Sequence, residues 1–454
     1  MTTPDPVIEH ALARLDELDP KAAAEASAAL DWIVGDQGLS SLNQAVVQQF
    51  LWYELPFKWL MDAKEHLHTA DALARFFDLA GMPRYAELCR APQTAAIIAT
   101  YETDGADAGF RAFLAAARRS GVLPDDVGGF VWSDAVGPVE LDALRSTAIT
   151  LELAVASGEL TPGRKGWRTR QREIIRDHLE RPRTERLGES WLQAIVTERI
   201  ARWQDDGQSL ARTQLLAAAA KQLLHPTDRP PRWTRAVGRL RWLLEHASRR
   251  GGVVLNVVGG PGPATVARYC HTFSWWDGGG SVPLDLELLQ RFAMRAGLLA
   301  KRGSRLVTTP RGTAAADTPE ASWAAVVATL AACDRRGRPL RSATGIPPIE
   351  LTEVAFAILL TSGDAPVSWE RLVRSLHVVV TELGWGGSDG QPPPRSVVEA
   401  PVTELAVLGA ALGLMRWHGK DGEAISLTAV GRSAVRQALR LRAIAPKRRL
   451  YGRI

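Results

Sequence analysis

The chain has 454 residues, 46% apolar and 23% charged, with a net charge of +5 at pH 7. That balance is globular rather than disordered, and the length suggests roughly three domains of about 150 residues. No run approaches the roughly 18 apolar residues of a membrane span, MTTPDPVIEH lacks the basic-then-apolar order of a secretory signal, and Cys89, Cys270 and Cys333 are too scattered for a disulfide framework, so a cytoplasmic protein without a membrane partner is expected.

Residues 1–158 read as an all-helical domain. Pro20, followed by KAAAEASAALDWIV, marks a fresh helix start, because proline suits the first helical turn. The stretch LNQAVVQQFLWYELPFKWLMDAKEHLHTADALARFFDLAG reads as two or three helices, with Pro56 breaking or kinking the run and Gly81 closing it. Helices are also expected over DAGFRAFLAAARRSG and over 138–157. Residues 1–150 hold 11 Lys and Arg against 22 Asp and Glu, a net of −11.

The charge then changes sign. Residues 164–250 hold 20 Lys and Arg against 10 Asp and Glu, a net of +10. A basic helix beginning near Trp167, then one or two amphipathic helices over 186–224, make residues 159–232 a helical connector. The connector ends in the linker HPTDRPPR, whose prolines remove backbone donors and favour extended chain. Such a basic stretch attracts phosphate backbones through counterion release. Equally, the acidic part can dock on the basic part of the same molecule.

From Trp233 the pattern becomes mixed. TRAVGRLRWLLEHASRRG reads as a helix, VVLNVVG as a short strand, and PATVARYCHTFSWW and LDLELLQRFAMRAGLL as two more helices. Each of two later stretches, LLQRFAMRAGLLAKRGSRLVTTPRG and ELAVLGAALGLMRWHGKDGEAISLTAVG, is an apolar helix running into Gly-Leu-hydrophobe. A basic, Gly-containing turn and a β-type run ending in Thr-x-x-Gly follow in both: Thr309 to Gly312, and Thr428 to Gly431. One unit is expected over 233–345 and a second over 346–454.

This helix, β-ribbon, helix order resembles the winged helix-turn-helix superfamily over about residues 233–445. The resemblance implies a mainly α fold, in which a helical N-terminal domain precedes two winged-helix units with small β-wings. GGVVLNVVGGPGPATVARYC with the first repeat is also similar to the C-terminal part of an uncharacterised bacterial family, and FLWYELPFKW and MPRYAELCR to hypothetical actinobacterial proteins. Those likenesses imply a fold more than a function.

In winged helices generally, the helix before the wing can lie in the major groove, where base edges carry a distinct code. In the first copy that helix carries Gln290, Arg291 and Arg295 as candidate base or phosphate contacts. The wing adds Lys301, Arg302 and Arg305, with Arg311 just beyond. The second copy offers an apolar helix, VTELAVLGAALGLM, with Arg416, His418 and Lys420 at its wing and Arg432 after it. It reads more as a core or partner-facing module. The expectation is a non-catalytic protein that binds double-stranded DNA, a transcriptional regulator or nucleoid-associated factor, with the acidic domain docking a protein partner. The competing readings are a scaffold whose tandem winged helices bind proteins or form a homodimer, and, third, an enzyme with an unrecognised site.

Other signals are weak. VVGGPGPAT lacks the Lys-Ser/Thr of a phosphate loop. His66 and His68, two apart, do not share a helical face. Asp125 and Asp126 read as a turn or cap, and Cys89 as a buried small hydrophobe. No catalytic residue, metal ligand or cofactor is assigned.

Overall fold

A computed structural model describes residues 6–35, 38–39, 42–231, 233–249, 251–273, 283–332, 349–386, 391–419 and 422–447. Cys333, Lys420 and most of the basic tail lie outside the described residues. The chain is mainly helical with small antiparallel sheets. It divides into two compact units, Met1–Ile195 with Lys447–Ile454, and Val196–Pro446. No described helix is long and apolar enough to cross a membrane.

The first unit is built of helices α1 (Pro6–Leu18), α2 (Pro20–Val34), α3 (Gln44–Gln49), α4 (Leu55–Lys58), α5 (Ala63–Leu79), α6 (Pro83–Arg90), α7 (Pro92–Asp104), α8 (Ala106–Ser120), α9 (Pro138–Ala156), α10 (Trp167–Glu180) and the start of α11 (Trp191–Gln204). Asp19 caps α2 by accepting from Ala22 N at 3.1 Å and holds Arg75 of α5 at 2.7 Å. Between α3 and α4, residues 50–54 form a π-helical turn. Pro56 carries no N–H for a regular helical bond, and the Leu55 N–H reaches back to Phe50 O instead. Cys89 is buried, as its apolar setting in AELCR suggested, and burial pushes its thiol up to about 12.

The expected boundary at residue 158 is not a division of the chain. Helices α9 and α10 share one core, in which Ala143, Leu151, Ile175 and Leu179 are buried. The turn between them, with Gly163 and Gly166 at positive φ, reverses the chain so that α10 returns along α9. His178 of α10 joins two hydroxyls of α9, Ser146 and Thr150, each at 3.0 Å.

The second unit contains α12 (Leu210–Leu223), α13 (Gly238–Ser248), β1 (Val253–Val254), α14 (Pro263–Phe273), α15 (Leu284–Arg295), β2 (Leu299–Arg302), β3 (Arg305–Thr308), α16 (Pro310–Asp317) and α17 (Pro319–Leu330). A second round follows: α18 (Ile349–Thr361), β4 (Val367–Ser368), α19 (Trp369–Glu382), α20 (Ser396–Ala411), β5 (Met415–His418), β6 (Ala424–Leu427) and α21 (Ala429–Ala443). Strands are ordered β1-β3-β2 in one sheet and β4-β6-β5 in the other. Strand β4 is short; only two residues pair, Val367 with Ile425 and Ser368 with Ala424.

The expected linker at 225–232 also does not divide the chain. It lies inside the second unit, where α12 packs on α18, α19 and α21. The carbonyls of Thr227 and Asp228 accept from Gln437 Nε2 at 3.1 Å and Ser433 Oγ at 2.8 Å of α21. Prolines without N–H donors leave those carbonyls available to the helix. Beneath it, buried Glu353 of α18 takes Arg212 of α12 at 3.0 Å and Arg442 of α21 at 2.8 Å, so neither carboxylate oxygen is left uncompensated.

Both Thr-x-x-Gly motifs perform one job. Thr309 Oγ1 donates to Gly297 O at 2.7 Å and accepts from Gly312 N at 3.0 Å, capping α16. Thr428 does the same with Gly413 O at 2.8 Å and Gly431 N at 3.0 Å, capping α21. A Cβ at Gly312 or Gly431 would overlap the backbone carbonyl of Leu298 or Leu414. Gly312→Ala and Gly431→Ala are therefore expected to lower stability by about 1–3 kcal/mol each, read as a drop in the urea midpoint. An unchanged midpoint contradicts the close approach.

A pH dependence belongs to the first unit. Burial, helped by Arg183 and Arg181, lowers the His178 pKa from 6.5 to about 4. The unfolded chain therefore binds a proton that the folded one refuses, and stability present above pH 6.5 is lost as pH falls toward about 4. His178→Asn should flatten that part of the stability profile measured by chemical denaturation across pH. A variant as acid-sensitive as wild type contradicts this assignment.

Candidate nucleic-acid interface

The seven candidate residues fall into two groups with opposite environments. Gln290, Arg291 and Arg295 stand on α15, which packs directly against α20. Gln290 is buried, and its Nε2 donates to Gly259 O at 2.9 Å. Arg291 Nη2 pairs with Glu404 Oε1 of α20 at 3.1 Å. Burial depresses the Arg295 pKa, and the Nε atoms of Arg291 and Arg295 are buried with no hydrogen-bond partner, as is Gln290 Oε1. Of the three, Arg291 joins α15 to α20, whereas Gln290 ties α15 to the loop after β1. The expectation that α15 offers an open reading face is corrected here: the apolar helix of the second copy needs a partner, and it takes α15.

The position of α15 is set from behind. Tyr269 of α14 donates to Asp285 Oδ2 at 2.6 Å, and Arg239 of α13 reaches the same oxygen at 2.7 Å. The carboxylate of Asp285 is 1% exposed, so this trio locks the three helices through one buried anion.

The second group lies on the β2–β3 hairpin and just after it. Arg302 sits opposite Arg305 beside the turn, and Lys301 opposite Leu306. Leu306 is inward and buried, while Lys301, Arg302, Arg305 and Arg311 are exposed. Arg305 donates to Gly251 O, which ties the hairpin to the turn after α13. Among the described residues, Lys301, Arg302 and Arg311 have no ion-pair partner within 4 Å. Arg249 and Arg268 are also exposed, and both help to depress the pKa of His246, after the larger effect of burial. Arg249 lies in the basic stretch 164–250 noted above, whereas Arg268 was not among the candidates.

Beside the hairpin lies the loop 255–262, whose first part, residues 255–259, was read as the end of a strand. Leu255 N donates to Ser304 O at 2.8 Å, and Val254 pairs with Arg305, so the loop emerges next to the hairpin turn. Asn256 Oδ1 accepts from Val258 N at 3.1 Å and Gly260 N at 2.9 Å. The Asn-x-x-Gly spacing was the available signal for this turn.

The second hairpin differs. Arg416 is exposed, His418 Nε2 contacts Ser426 Oγ at 2.8 Å, and Arg432 pairs with Asp364. Lys420 lies outside the described residues. Of the weaker motifs, His66 is buried against Trp59 O at 3.2 Å and His68 faces Glu25 at 3.7 Å. Asp126 Oδ1 accepts from Trp132 N at 3.1 Å, a turn role. Among the described residues no group of three His, Cys, Asp or Glu is placed to hold a metal.

Comparison with known proteins found no matching family model, no matching curated protein and no matching solved structure.

The pairing of Arg291 with Glu404 has a measurable consequence. Both groups are partly exposed, so a double-mutant cycle on Arg291→Ala and Glu404→Ala should give a coupling of about 0.2–1 kcal/mol in folding stability. Additive single effects would show that the two helices do not communicate through this pair.

Proposed function

We propose that the second unit holds two winged helices and that the protein is a non-catalytic DNA-binding factor, a regulator or nucleoid-associated protein, which grips duplex DNA through its first wing. Two features support the winged-helix reading. Each half runs helix, strand, helix, helix, strand, strand, and in each sheet the third strand lies between the first and second. One observation carries the DNA reading: Lys301, Arg302 and Arg311 are exposed cations without an ion-pair partner among the described residues. Several other arginines of the unit are engaged internally, as Arg212, Arg239, Arg291 and Arg442 are. Unneutralised cations on a projecting hairpin release counterions when they meet phosphates, which favours binding at low salt.

On this reading the contact is mainly to the backbone. The helix that would read bases is occupied by α20, so sequence preference through Arg291 is not expected. The acidic first unit remains the candidate for docking a protein partner. The scaffold reading is favoured by a different observation: α15 and α20 bury each other, as the facing surfaces of a protein-binding module would. In that case the paired winged helices form a rigid platform, and a homodimer is one assembly it would support.

Fluorescence anisotropy with duplex DNA at several salt concentrations separates the two. Lys301→Ala with Arg302→Ala should weaken binding on all sequences and flatten the log–log salt slope by up to about 2. Arg291→Ala should leave the slope unchanged. Arg416→Ala should do little. Absence of binding at low salt sinks the DNA reading, and loss of binding only on Arg416→Ala would move the contact to the second copy.

A further inference from the structure

The loop after β1 has a shape that the wing alone does not explain. Val257 and Val258 are 104% and 86% exposed, in a molecule whose other valines in this half are mostly buried. Two neighbouring valines held fully in water are unfavourable by themselves, since each forgoes the gain of apolar burial. Nor do they stand out because the loop is loose. Asn256 N donates to Gly260 O at 2.8 Å, and Gly259 N to Asn256 O at 3.0 Å. The Asn256 side chain closes the same turn, Gly259 takes a positive φ of 87°, and Gln290 holds Gly259 O from α15. Gly262 N donates to Val254 O at 2.8 Å and seals the base. The result is a small rigid knuckle with an apolar tip.

Its neighbours are cationic. A Cβ built on Gly259 would lie 4.0 Å from Lys301 Nζ, and the base of the loop is hydrogen-bonded to Ser304 at the hairpin turn, between Arg302 and Arg305. Apolar tip and flanking cations therefore reach outward together.

We infer that Val257 and Val258 form a wedge that enters the minor groove of duplex DNA and partly unstacks a base step, while Lys301 and Arg302 hold the adjacent phosphates. This rests on the DNA reading above and extends it to a mode: binding that bends the duplex. Apolar side chains inserted at a base step, with cations on the backbone, are a general means of bending DNA with little base-specific contact. Charge complementarity selects a polyanion as the occupant. The occupied α15 leaves a wing-and-wedge contact rather than a helix in the groove. Flexible pyrimidine–purine steps should be preferred, because they unstack at least cost.

The test uses the full chain and a duplex of about 30 base pairs, end-labelled for energy transfer, with a central TA step or a G·C-rich centre. Wild type should shorten the end-to-end distance, more on the TA duplex. Val257→Ser with Val258→Ser should abolish the bend and weaken binding about 10- to 100-fold, with the salt slope unchanged. Both side chains are exposed, so circular dichroism and thermal unfolding should match wild type; Val257→Leu with Val258→Leu should keep the bend. Binding without bending, or bending that survives the serine changes, overturns the wedge and leaves the wing contact standing. Failure of wild type to bind DNA at low salt overturns the DNA reading itself. A parallel arm uses phosphatidylglycerol vesicles: vesicle binding lost on the serine changes, with DNA binding untouched by them, would assign the knuckle to a membrane surface and overturn the wedge.

Discussion

The approach of two bare backbones, Gly312 to Leu298 and Gly431 to Leu414, is the constraint on which the second unit depends. In each copy the chain leaves a helix, turns through a glycine at positive φ, makes a hairpin and must return to its starting point to begin the next helix. Only a residue without Cβ lets the new helix start against the carbonyl just after the turn. The threonine three residues earlier supplies both halves of the closure: its hydroxyl donates to the turn glycine and accepts from the new helix. Once that corner is closed, β2 pairs with β3 and β5 with β6 in fixed register. The exposed cations of the first hairpin owe their placement to this corner.

Charge is distributed by what packs, rather than by where it lies along the chain. The run 164–250 is strongly basic, yet many of its arginines are engaged locally. Arg170 meets Glu159 and Glu173, Arg172 meets Asp125, and Arg212 is buried on Glu353. Arg239 serves Asp285, and Arg241 donates to Ala316 O. Lys301, Arg302 and Arg311, by contrast, face solvent without an ion-pair partner among the described residues. The inward positions of the hairpin are taken by Leu299 and Leu306. The first hairpin therefore carries a cluster of exposed positive charge.

The first unit shows the same interplay at lower stakes. Pro56 converts one turn to a π form, and the aromatic residues around it pack edge to face and in stacks, with Trp32 against Trp59 and Tyr53 against Phe57 and Phe113. Trp32 Nε1, Gln49 and Lys58 converge on Glu54, which anchors the end of that turn. Polar residues in this unit are mostly structural. Glu152 accepts from Gln44 N at 2.6 Å and from the Tyr85 hydroxyl at 3.0 Å, and Glu140 holds Ser133.

Much of the fold was legible in the residues. Periodicity located most of the helices, and the repeated Gly-Leu and Thr-x-x-Gly motifs located both hairpins, because these depend on local backbone chemistry that a short window contains. The cations of the first hairpin were legible for the same reason: a tight turn between β-type runs leaves its basic residues outside. What the sequence could not contain was the choice of partner for each face. The apolar character of α20 announced that it needed cover, but only the folded chain shows that α15 packs against it, with Arg291 paired to Glu404, while Gln290 is taken up by the loop after β1. The linker prolines suggested a boundary, and only packing revealed that the carbonyls of Thr227 and Asp228 serve α21. Val257 and Val258 read as strand because β-branched residues favour extended backbone. Tertiary structure decided otherwise, since β1 pairs over two residues and the Asn256 side chain then turns the chain outward. Local chemistry is written in adjacent residues, whereas burial depends on which distant surface arrives first and fits best.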